Sequence, residues 1–258
     1  MFTYLRQSDN LIPVATLTPT TEDTDFPIEN AQAEPVAKVY RSADATAEKI
    51  LIEFAAPVDV DLFAIVNHSI TSAGTITLRG GSSSDPNGSQ FQTTITWRNR
   101  TAWKVLSAVE TWRYWSLTVD DPTNPELVFE IGLLLMGEAT ELTRDFNFGT
   151  EKRRETVNQV LESEYGVITA GQNLFQRTRI VASWKTTDAT ERAALDNFLL
   201  TLEKERGGLL FIPYSDETEA FYGRFVTDYS IIRTGPDIAE ISGLEFLEDS
   251  PGRSVFSL

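Results

Sequence analysis

Residues 62–70, LFAIVNHSI, are the stretch that decides the fold class. The run is almost continuously apolar and rich in Ile, Val and Phe, which is typical of a buried β-strand. Upstream, KILIEF (49–54) predicts another short strand, and downstream GTITLRG (74–80) alternates apolar and polar residues before a polar loop, GGSSSDPNGSQ (80–90). The pattern therefore indicates consecutive strands separated by turns.

The same pattern continues to residue 137. The later segments are rich in β-branched and aromatic residues and are TTITW (93–97), TAWKVLS (101–107), WRYWSLTVD (112–120) and LVFEIGLLLMG (127–137). Strands that recur every ten to fifteen residues, without a long helix between them, predict an antiparallel sandwich or jelly roll. We assign this domain to residues 35–140 and predict that residues 1–34, rich in Thr, Pro, Asp and Asn, form an irregular N-terminal arm.

A second domain is predicted over residues 141–258. It opens with a charged segment in which EKRRETVNQVLESE (151–164) fits either a polar helix or a solvated strand. Strand patterns follow at 166–184 and again after residue 209, with one helix between them at about 188–206. The predicted fold is mainly β: a jelly-roll β-sandwich followed by a β-barrel or sandwich domain flanked by one α-helix.

The helix has start and stop signals in the sequence. Asp188 is placed to cap its N-terminus, Glu191 follows at the capping-box spacing, and Gly207 and Gly208 supply a left-handed termination. Its apolar stripe consists of Leu195, Phe198, Leu199 and Leu202.

Composition excludes most catalytic chemistry. The chain has no cysteine and one histidine, His68, so disulfides, thiolate metal sites and multi-histidine sites are excluded. A net charge of −16 disfavours binding to nucleic-acid phosphates. We find neither a secretory signal nor an apolar run long enough to cross a bilayer, which predicts a soluble protein made in the cytoplasm without a membrane anchor. We predict that the chain is not an enzyme.

Few residues are candidates for chemistry. His68 follows a buried strand without a neighbouring nucleophile motif, so a role in positioning a loop or interface is favoured over catalysis. Asp120, Asp121, Asn124 and Glu126 could offer oxygen ligands to calcium, but DDPTNPE is more simply a turn. A carboxylate-based glycosidase stays open as a weaker alternative, because the separation of two carboxyls is spatial. The glycine-rich 80–90 loop lacks the Lys-Ser/Thr ending of a phosphate loop. We therefore assign no catalytic, cofactor or metal residue.

An aromatic cluster follows the polar loop. It consists of Trp97, Trp103, Trp112, Tyr114 and Trp115. These residues could form a sugar-stacking platform, but large residues in strands more often pack in a core or on a sheet face, and we favour packing.

Two segments resemble galactose-binding-like (discoidin-type) jelly rolls found in bacteriophage tail and virion proteins. They are LFAIVNHSITSAGTITLRGGSS (62–83) and WRYWSLTVDDPTNPELVFEIGLLLMGE (112–138), the second with a repeated glycine at Gly132 and Gly137. The stretch RIVASWKTTDATERAALDNFLLTLEKERGGLLFIPY, with GRFVTDYSII and ISGLEFLED, resembles the ring-forming domain of distal tail proteins over about residues 165–250. The domain order is the reverse of that usual in distal tail proteins.

The resemblance implies a structural role in a virion. Its expectations are a homo-oligomeric ring, usually a hexamer, at the tail tip or baseplate as a minor tail protein, joined to tail-tube and hub proteins, with DNA passing an acidic lumen without specific binding. The alternative is a carbohydrate-binding module that binds glycans weakly and acts in attachment to a host surface.

Overall fold

The structure is a computed structural model that describes residues 2–142, 151–162, 168–186, 188–204, 207–213, 219–226, 230–233, 235 and 239–249. It confirms the predicted fold class: the chain is mainly β, with two antiparallel sheets and one α-helix in the described part. No helix in those residues is both long and apolar enough to cross a bilayer.

Fifteen strands and one α-helix are described. In chain order they are β1 (Phe2–Arg6), β2 (Thr16–Pro19), β3 (Tyr40–Arg41), β4 (Glu48–His68), β5 (Thr75–Gly81), β6 (Phe91–Ile95), β7 (Thr101–Asp120), β8 (Glu130–Gly137), β9 (Thr140–Leu142), β10 (Glu151–Glu162), β11 (Ile168–Lys185), α1 (Ala189–Lys204), β12 (Leu209–Ile212), β13 (Phe221–Phe225), β14 (Ser230–Arg233) and β15 (Ala239–Glu248).

The jelly roll is a seven-stranded sheet folded over its own core. Its strand order is β3-β8-β4-β7-β5-β6, and β2 pairs with β4. The long strands β4 and β7 pair with each other on both sides of register irregularities at residues 53–58 and 60–62 of β4. Because Ile52 and Phe63, on either side of these irregularities, belong to one buried core, β4 and β7 pass from one layer of the sandwich to the other.

The apolar run of β4 is buried on both faces. Phe63 and Ile65 contribute to the jelly-roll core, whereas Leu62, Ala64 and Val66 belong to a second cluster shared with Leu5, Leu210, Ile212 and Tyr222 of the other sheet. Strand β8 is also buried on both faces: Leu134 faces the first cluster and Leu135 faces the second. A strand between two apolar layers has no polar face, which explains the unbroken run that the sequence shows.

The second unit is an eight-stranded sheet in the order β10-β11-β15-β13-β12-β1-β9, with β14 paired to β15. Helix α1 packs on it through Phe198, whose ring lies 5.0 Å from that of Tyr4 and 5.6 Å from that of Phe225. The Asp188 cap is confirmed: its Oδ1 accepts the backbone N–H of Thr190 and of Glu191, each at 2.9 Å. The side chains of Leu195, Leu199 and Leu202 and the predicted helix end at 205–206 lie outside the described residues.

The N-terminal segment is not irregular throughout, contrary to the sequence-based prediction for residues 1–34. Strand β1 pairs with β12 on one side and β9 on the other, β2 pairs with β4, and short 3-10 helices occupy Gln7–Asp9, Ile12–Val14 and Ile28–Ala31. The prediction missed β1 because its two partners, β9 and β12, are about 140 and about 200 residues away in the chain and leave no local period. The domain boundaries at residues 34 and 140 stay predictions.

Two glycines of β8 let this segment cross the jelly roll closely. A Cβ atom on Gly132 would lie 2.4 Å from the carbonyl oxygen of Val36, and one on Gly137 would lie 2.7 Å from that of Asp9. Between the two glycines, the buried Asn10 side chain donates to the Leu134 carbonyl and accepts the Met136 N–H. The N-terminal segment is thereby attached to both sheets.

Candidate functional site

The four tryptophans of the jelly roll lie against its cores. Trp115 is fully buried, and Trp97 and Trp112 are half-buried on the jelly-roll core. Trp103 is half-buried on the cluster between the two sheets. The indole N–H of Trp97 donates to the Ile70 carbonyl at 2.8 Å, which fixes its ring against the loop after β4. The described geometry therefore favours packing over an exposed sugar-stacking platform.

Asp121 holds together the loops at one end of the sandwich. The residue is fully buried, and its carboxylate accepts the Thr71 N–H at 2.8 Å, the Thr71 hydroxyl at 2.7 Å and the Asn124 amide at 3.0 Å. Asp120 points elsewhere and accepts the Ala47 N–H. Among the described residues no group of three or more potential ligands is arranged to hold a metal ion. The DDPTNPE segment forms a hydrogen-bonded turn, in which the Asn124 N–H donates to the Asp121 carbonyl and the Leu127 N–H to the Asn124 carbonyl, each at 3.0 Å.

His68 ends β4 and is used structurally. Its Nε2 lies 2.9 Å from the Arg98 carbonyl, which can only accept, so Nε2 carries the hydrogen. Its Nδ1 is buried without a hydrogen-bond partner in the described structure. Burial lowers the pKa of the imidazole to about 4, because loss of hydration disfavours the charged ring more than the backbone groups of Arg98 and Ile70 favour it. The neutral ring positions the loop before β7, and this geometry agrees with the loop-positioning hypothesis.

The polar loop after β5 leads directly into β6. Residues 82–85 are exposed, and Asp85 forms an ion pair with Lys49 at 2.9 Å. A phosphate loop needs a helix after it to direct backbone N–H groups at the anion, and here a strand follows. The loop is a connection between strands.

The most distinctive surface is the hairpin formed by β10 and β11. Its base is supported, because residues 179–185 of β11 pair with β15. Beyond the base, β10 residues 157–162 pair with β11 residues 168–175, and no third strand joins them in the described part of the chain. The hairpin therefore extends from the sheet as a two-stranded ribbon. The ambiguous segment 151–164 is a strand as far as residue 162, which confirms one of the two interpretations left open by the sequence.

A ladder of charges stabilises the base of this hairpin. Glu155 of β10 forms ion pairs with Arg177 at 3.0 Å and Arg179 at 2.9 Å, and Arg179 also contacts Glu245 of β15 at 2.8 Å. These contacts hold three adjacent strands in register across a half-exposed face. These residues were not predicted from the sequence, in which the available signal was the charged run EKRRE (151–155).

The sequence matches no protein-family model and no curated protein. Solved structures of similar fold include the family 32 carbohydrate-binding module from C. perfringens NanJ in complex with galactose, at 16% identity over 54% of this chain and 100% of that chain with a TM-score of 0.39. Chitosan-binding module 1 from the chitosanase/glucanase of Paenibacillus sp. IK-5 has 16% identity over 50% of this chain and 98% of that chain, with a TM-score of 0.42. Reduced XRCC1 bound to the DNA pol beta catalytic domain has 14% identity over 47% of this chain and 93% of that chain, with a TM-score of 0.36.

Two of these three structures are a carbohydrate-binding and a chitosan-binding module, and each match covers about half of this chain. At such identities and TM-scores they carry no argument about what this chain binds. None of the three structures is a phage tail protein, so the role in a phage tail stays a prediction from the sequence.

Proposed function

We propose that this chain is a non-enzymatic assembly subunit that joins neighbouring subunits by β-strand addition along the β10–β11 hairpin. The observation that carries the proposal is the two-stranded ribbon of residues 157–162 and 168–175, which has no third strand in the described structure. A ribbon of this kind is marginally stable in water by itself. A strand from a neighbour would supply the missing backbone hydrogen bonds.

The edge offered by β10 is long enough for a specific contact. Its twelve residues correspond to roughly 40 Å of extended strand. Strand β10 is the last strand of the sheet, so its outer edge is unpaired in the described structure from the supported base onward. The charged residues Lys152, Arg153 and Arg154 along its base oppose nonspecific edge-to-edge aggregation. The positive charges and the length of this edge therefore favour a partner strand that is acidic and pairs in one register.

The finer setting is a phage or phage-like tail tip. It rests on the resemblance of residues 165–250 to the ring-forming domain of distal tail proteins and on the jelly-roll fold. In that setting the subunits form a ring, usually of six, that joins the tail tube to the hub, within a virion assembled in the host cytoplasm. The net charge of −16 is compatible with DNA passing such a ring without binding.

The test removes the unsupported ribbon and keeps its base. Replacing residues 157–175 by a two-residue Asn-Gly turn joins Thr156 to Gln176, which face each other in the register. We expect this variant to keep the thermal stability of the full chain and to lose the oligomer that the full chain forms, as measured by mass photometry and negative-stain imaging. A variant lacking Ser83 and Ser84, in the exposed loop after β5, serves as the control and keeps the oligomer.

A monomeric full chain at high concentration, with no binding to tail-tube or hub proteins, would contradict the proposal. So would an oligomer that is unchanged by removal of the ribbon. Co-purification with a tail-tube protein would support the tail-tip setting specifically.

The second candidate is carbohydrate binding, the alternative that the sequence left open. The observation that favours it is a polar cleft beside the jelly-roll loop 97–101, in which half-buried Trp97 and exposed Asn99 stand together. Aromatic stacking and amide hydrogen bonds are means by which proteins hold sugars.

A glycan array followed by calorimetry with galactose and chitotriose tests this candidate. Carbohydrate binding that is lost in Asn99→Ala, with the oligomeric state unchanged, would favour the attachment role over assembly. A flat array would remove this candidate.

A further inference from the structure

A cleft of about 380 Å³ lies between the jelly roll and the second sheet. One wall is the jelly-roll segment 97–101, and the other consists of residues from β10, β11, β13 and β15 and from the segment before β13. Its volume is in the range of protein ligand sites. Because both units supply a wall, the cleft exists only in the folded chain.

The cleft is basic in a chain that is strongly acidic. Two carboxylates, Glu219 and Glu248, stand against four cationic side chains, which are Arg98, Arg100, Lys152 and Arg154. The lining therefore carries an excess of two positive charges, while the whole chain carries −16. Such a local reversal of sign concentrates anions in the cleft.

Both carboxylates of the cleft are already engaged. Glu219 forms an ion pair with Lys152, whose Nζ also lies 4.9 Å from the centre of the Phe221 ring. Buried Glu248 accepts the Thr178 N–H at 2.8 Å and contacts Arg100 at 3.4 Å. Lys152 and Arg100 are thereby neutralised, and the excess charge belongs to the other two arginines.

Arg98 is a half-buried cation without a counter-ion among the described residues. Its guanidinium lies 4.2 Å from the centre of the Trp103 ring and donates to the carbonyls of Trp103 at 2.8 Å and Thr96 at 3.3 Å. Its Nε is buried and has no hydrogen-bond partner in the described structure. Removing a guanidinium from water without an anion is unfavourable, which the pKa of Arg98, lowered by burial, also reflects.

Two further groups of the lining are available to a ligand. Arg154 is exposed and makes no ion pair with a described residue. Thr101 is only 2% exposed, and its hydroxyl is buried without a partner in the described part of the chain. An unsatisfied buried hydroxyl is unfavourable unless a ligand or water completes it.

We propose that this cleft binds a carboxylate group of an acidic polypeptide segment, held by Arg98 and Arg154 with Thr101 as an additional donor. Guanidinium groups match the planar geometry of a carboxylate and bind it through two parallel hydrogen bonds. A singly charged carboxylate fits better than a phosphate dianion, because Glu219 and Glu248 repel a second negative charge. Copies of this acidic chain carry many such side chains, so the polypeptide source rests on the proposed assembly function.

Calorimetry on the full chain tests the proposal with a capped Glu-Asp-Glu-Asp peptide at constant ionic strength. We expect binding that the neutral Gln-Asn-Gln-Asn peptide does not show and that sodium chloride at matched ionic strength does not reproduce. Arg154→Gln should weaken the affinity about tenfold, the loss expected for one hydrogen bond to a charged group. The matched control is Arg113→Gln, which removes an exposed arginine that pairs with Glu53 outside the cleft and should leave the affinity unchanged.

Thr101→Val separates binding from folding. The substitution removes a hydroxyl that has no described partner, so we expect unchanged or higher thermal stability together with a severalfold loss of peptide affinity. Equal binding of the two peptides, or unchanged affinity in Arg154→Gln, would overturn the proposal. Glucuronate carries its carboxylate on a sugar, so tighter binding of sodium glucuronate than of the acidic peptide would overturn the proposal that the bound carboxylate belongs to a polypeptide. Peptide binding by a chain that stays monomeric would support the carboxylate site and reject assembly by strand addition.

Discussion

The strand pairs β4–β7 and β10–β11 are both long, antiparallel and irregular in register, yet they lie in opposite environments. Strands β4 and β7 are surrounded by other strands, and Leu62 and Phe63 of β4 are buried on opposite faces. In the ribbon, residues 168–175 of β11 pair with β10 and have no strand on their other side in the described structure, because β15 pairs only with β11 residues 179–185.

The difference shows that a long antiparallel strand pair can lie inside a sheet or extend from it with unpaired edges. In β4–β7 further strands continue the hydrogen-bond ladder, with β2 and β8 beside β4 and β5 beside residues 114–120 of β7. In the ribbon the ladder is open on both sides, so backbone donors and acceptors are left for a partner. The open ladder of the hairpin is therefore the feature on which the proposed assembly rests.

The largest expected effect tests whether the jelly roll and the second sheet are one folding unit. Leu134→Ala truncates a side chain in the jelly-roll core, and Leu135→Ala truncates its neighbour in the cluster between the sheets. Each should lower the free energy of unfolding by about 2–5 kcal/mol, because each creates a cavity at a fully buried site.

Denaturant unfolding followed by tryptophan fluorescence and circular dichroism measures both variants. If the two units unfold together, both variants shift one common transition. Val109→Ala, at a half-exposed site on β7, is the control with little effect. A Leu135→Ala variant that unfolds in two separate steps would contradict the single unit.

The second effect concerns pH and His68 at the end of the jelly roll. The folded pKa of about 4 is below the ordinary 6.5, so the unfolded chain binds a proton first as the pH falls. The stabilisation is therefore fully present above pH 6.5 and is lost as the pH falls towards 4, by about 3 kcal/mol.

Comparison with His68→Gln isolates this contribution from the many carboxylates. The glutamine amide can still donate to the Arg98 carbonyl but does not titrate. We expect the stability difference between the two proteins to change between pH 6.5 and 4. A constant difference across this range would show that His68 is as free to take up a proton in the fold as in the unfolded chain.

The smallest effect probes the second unit through its helix cap. Asp188→Ala removes the acceptor for two backbone N–H groups and should cost about 1 kcal/mol. Asp188→Asn, which keeps an acceptor oxygen, is the matched control and should cost less. Thermal unfolding monitored by circular dichroism measures both. A loss as large as that of Leu135→Ala would mean that the helix supports the sheet far more than one cap implies.

The fold class and the helix start were predictable, because their signals are local. The run at residues 62–66 and the Asp188–Glu191 spacing each report on neighbours a few residues apart. The cleft was not predicted: Arg98 and Arg154 are 56 positions apart and come together only when the two sheets pack. The pairing of β1 with β12 was missed for the same reason.

The amino-acid sequence by itself determined most strands of the jelly roll after residue 48, where the helix begins, and which chemistry is excluded by the absence of cysteine and the single histidine. These properties depend on side-chain period, capping and composition, which act within a few residues. Only the tertiary structure decided that Asp121 is a structural acceptor, that the tryptophans are packed, and that the β10–β11 ribbon lacks a third strand in the described residues. Each of these depends on which distant segments meet, and that follows from burying the apolar faces of two sheets together.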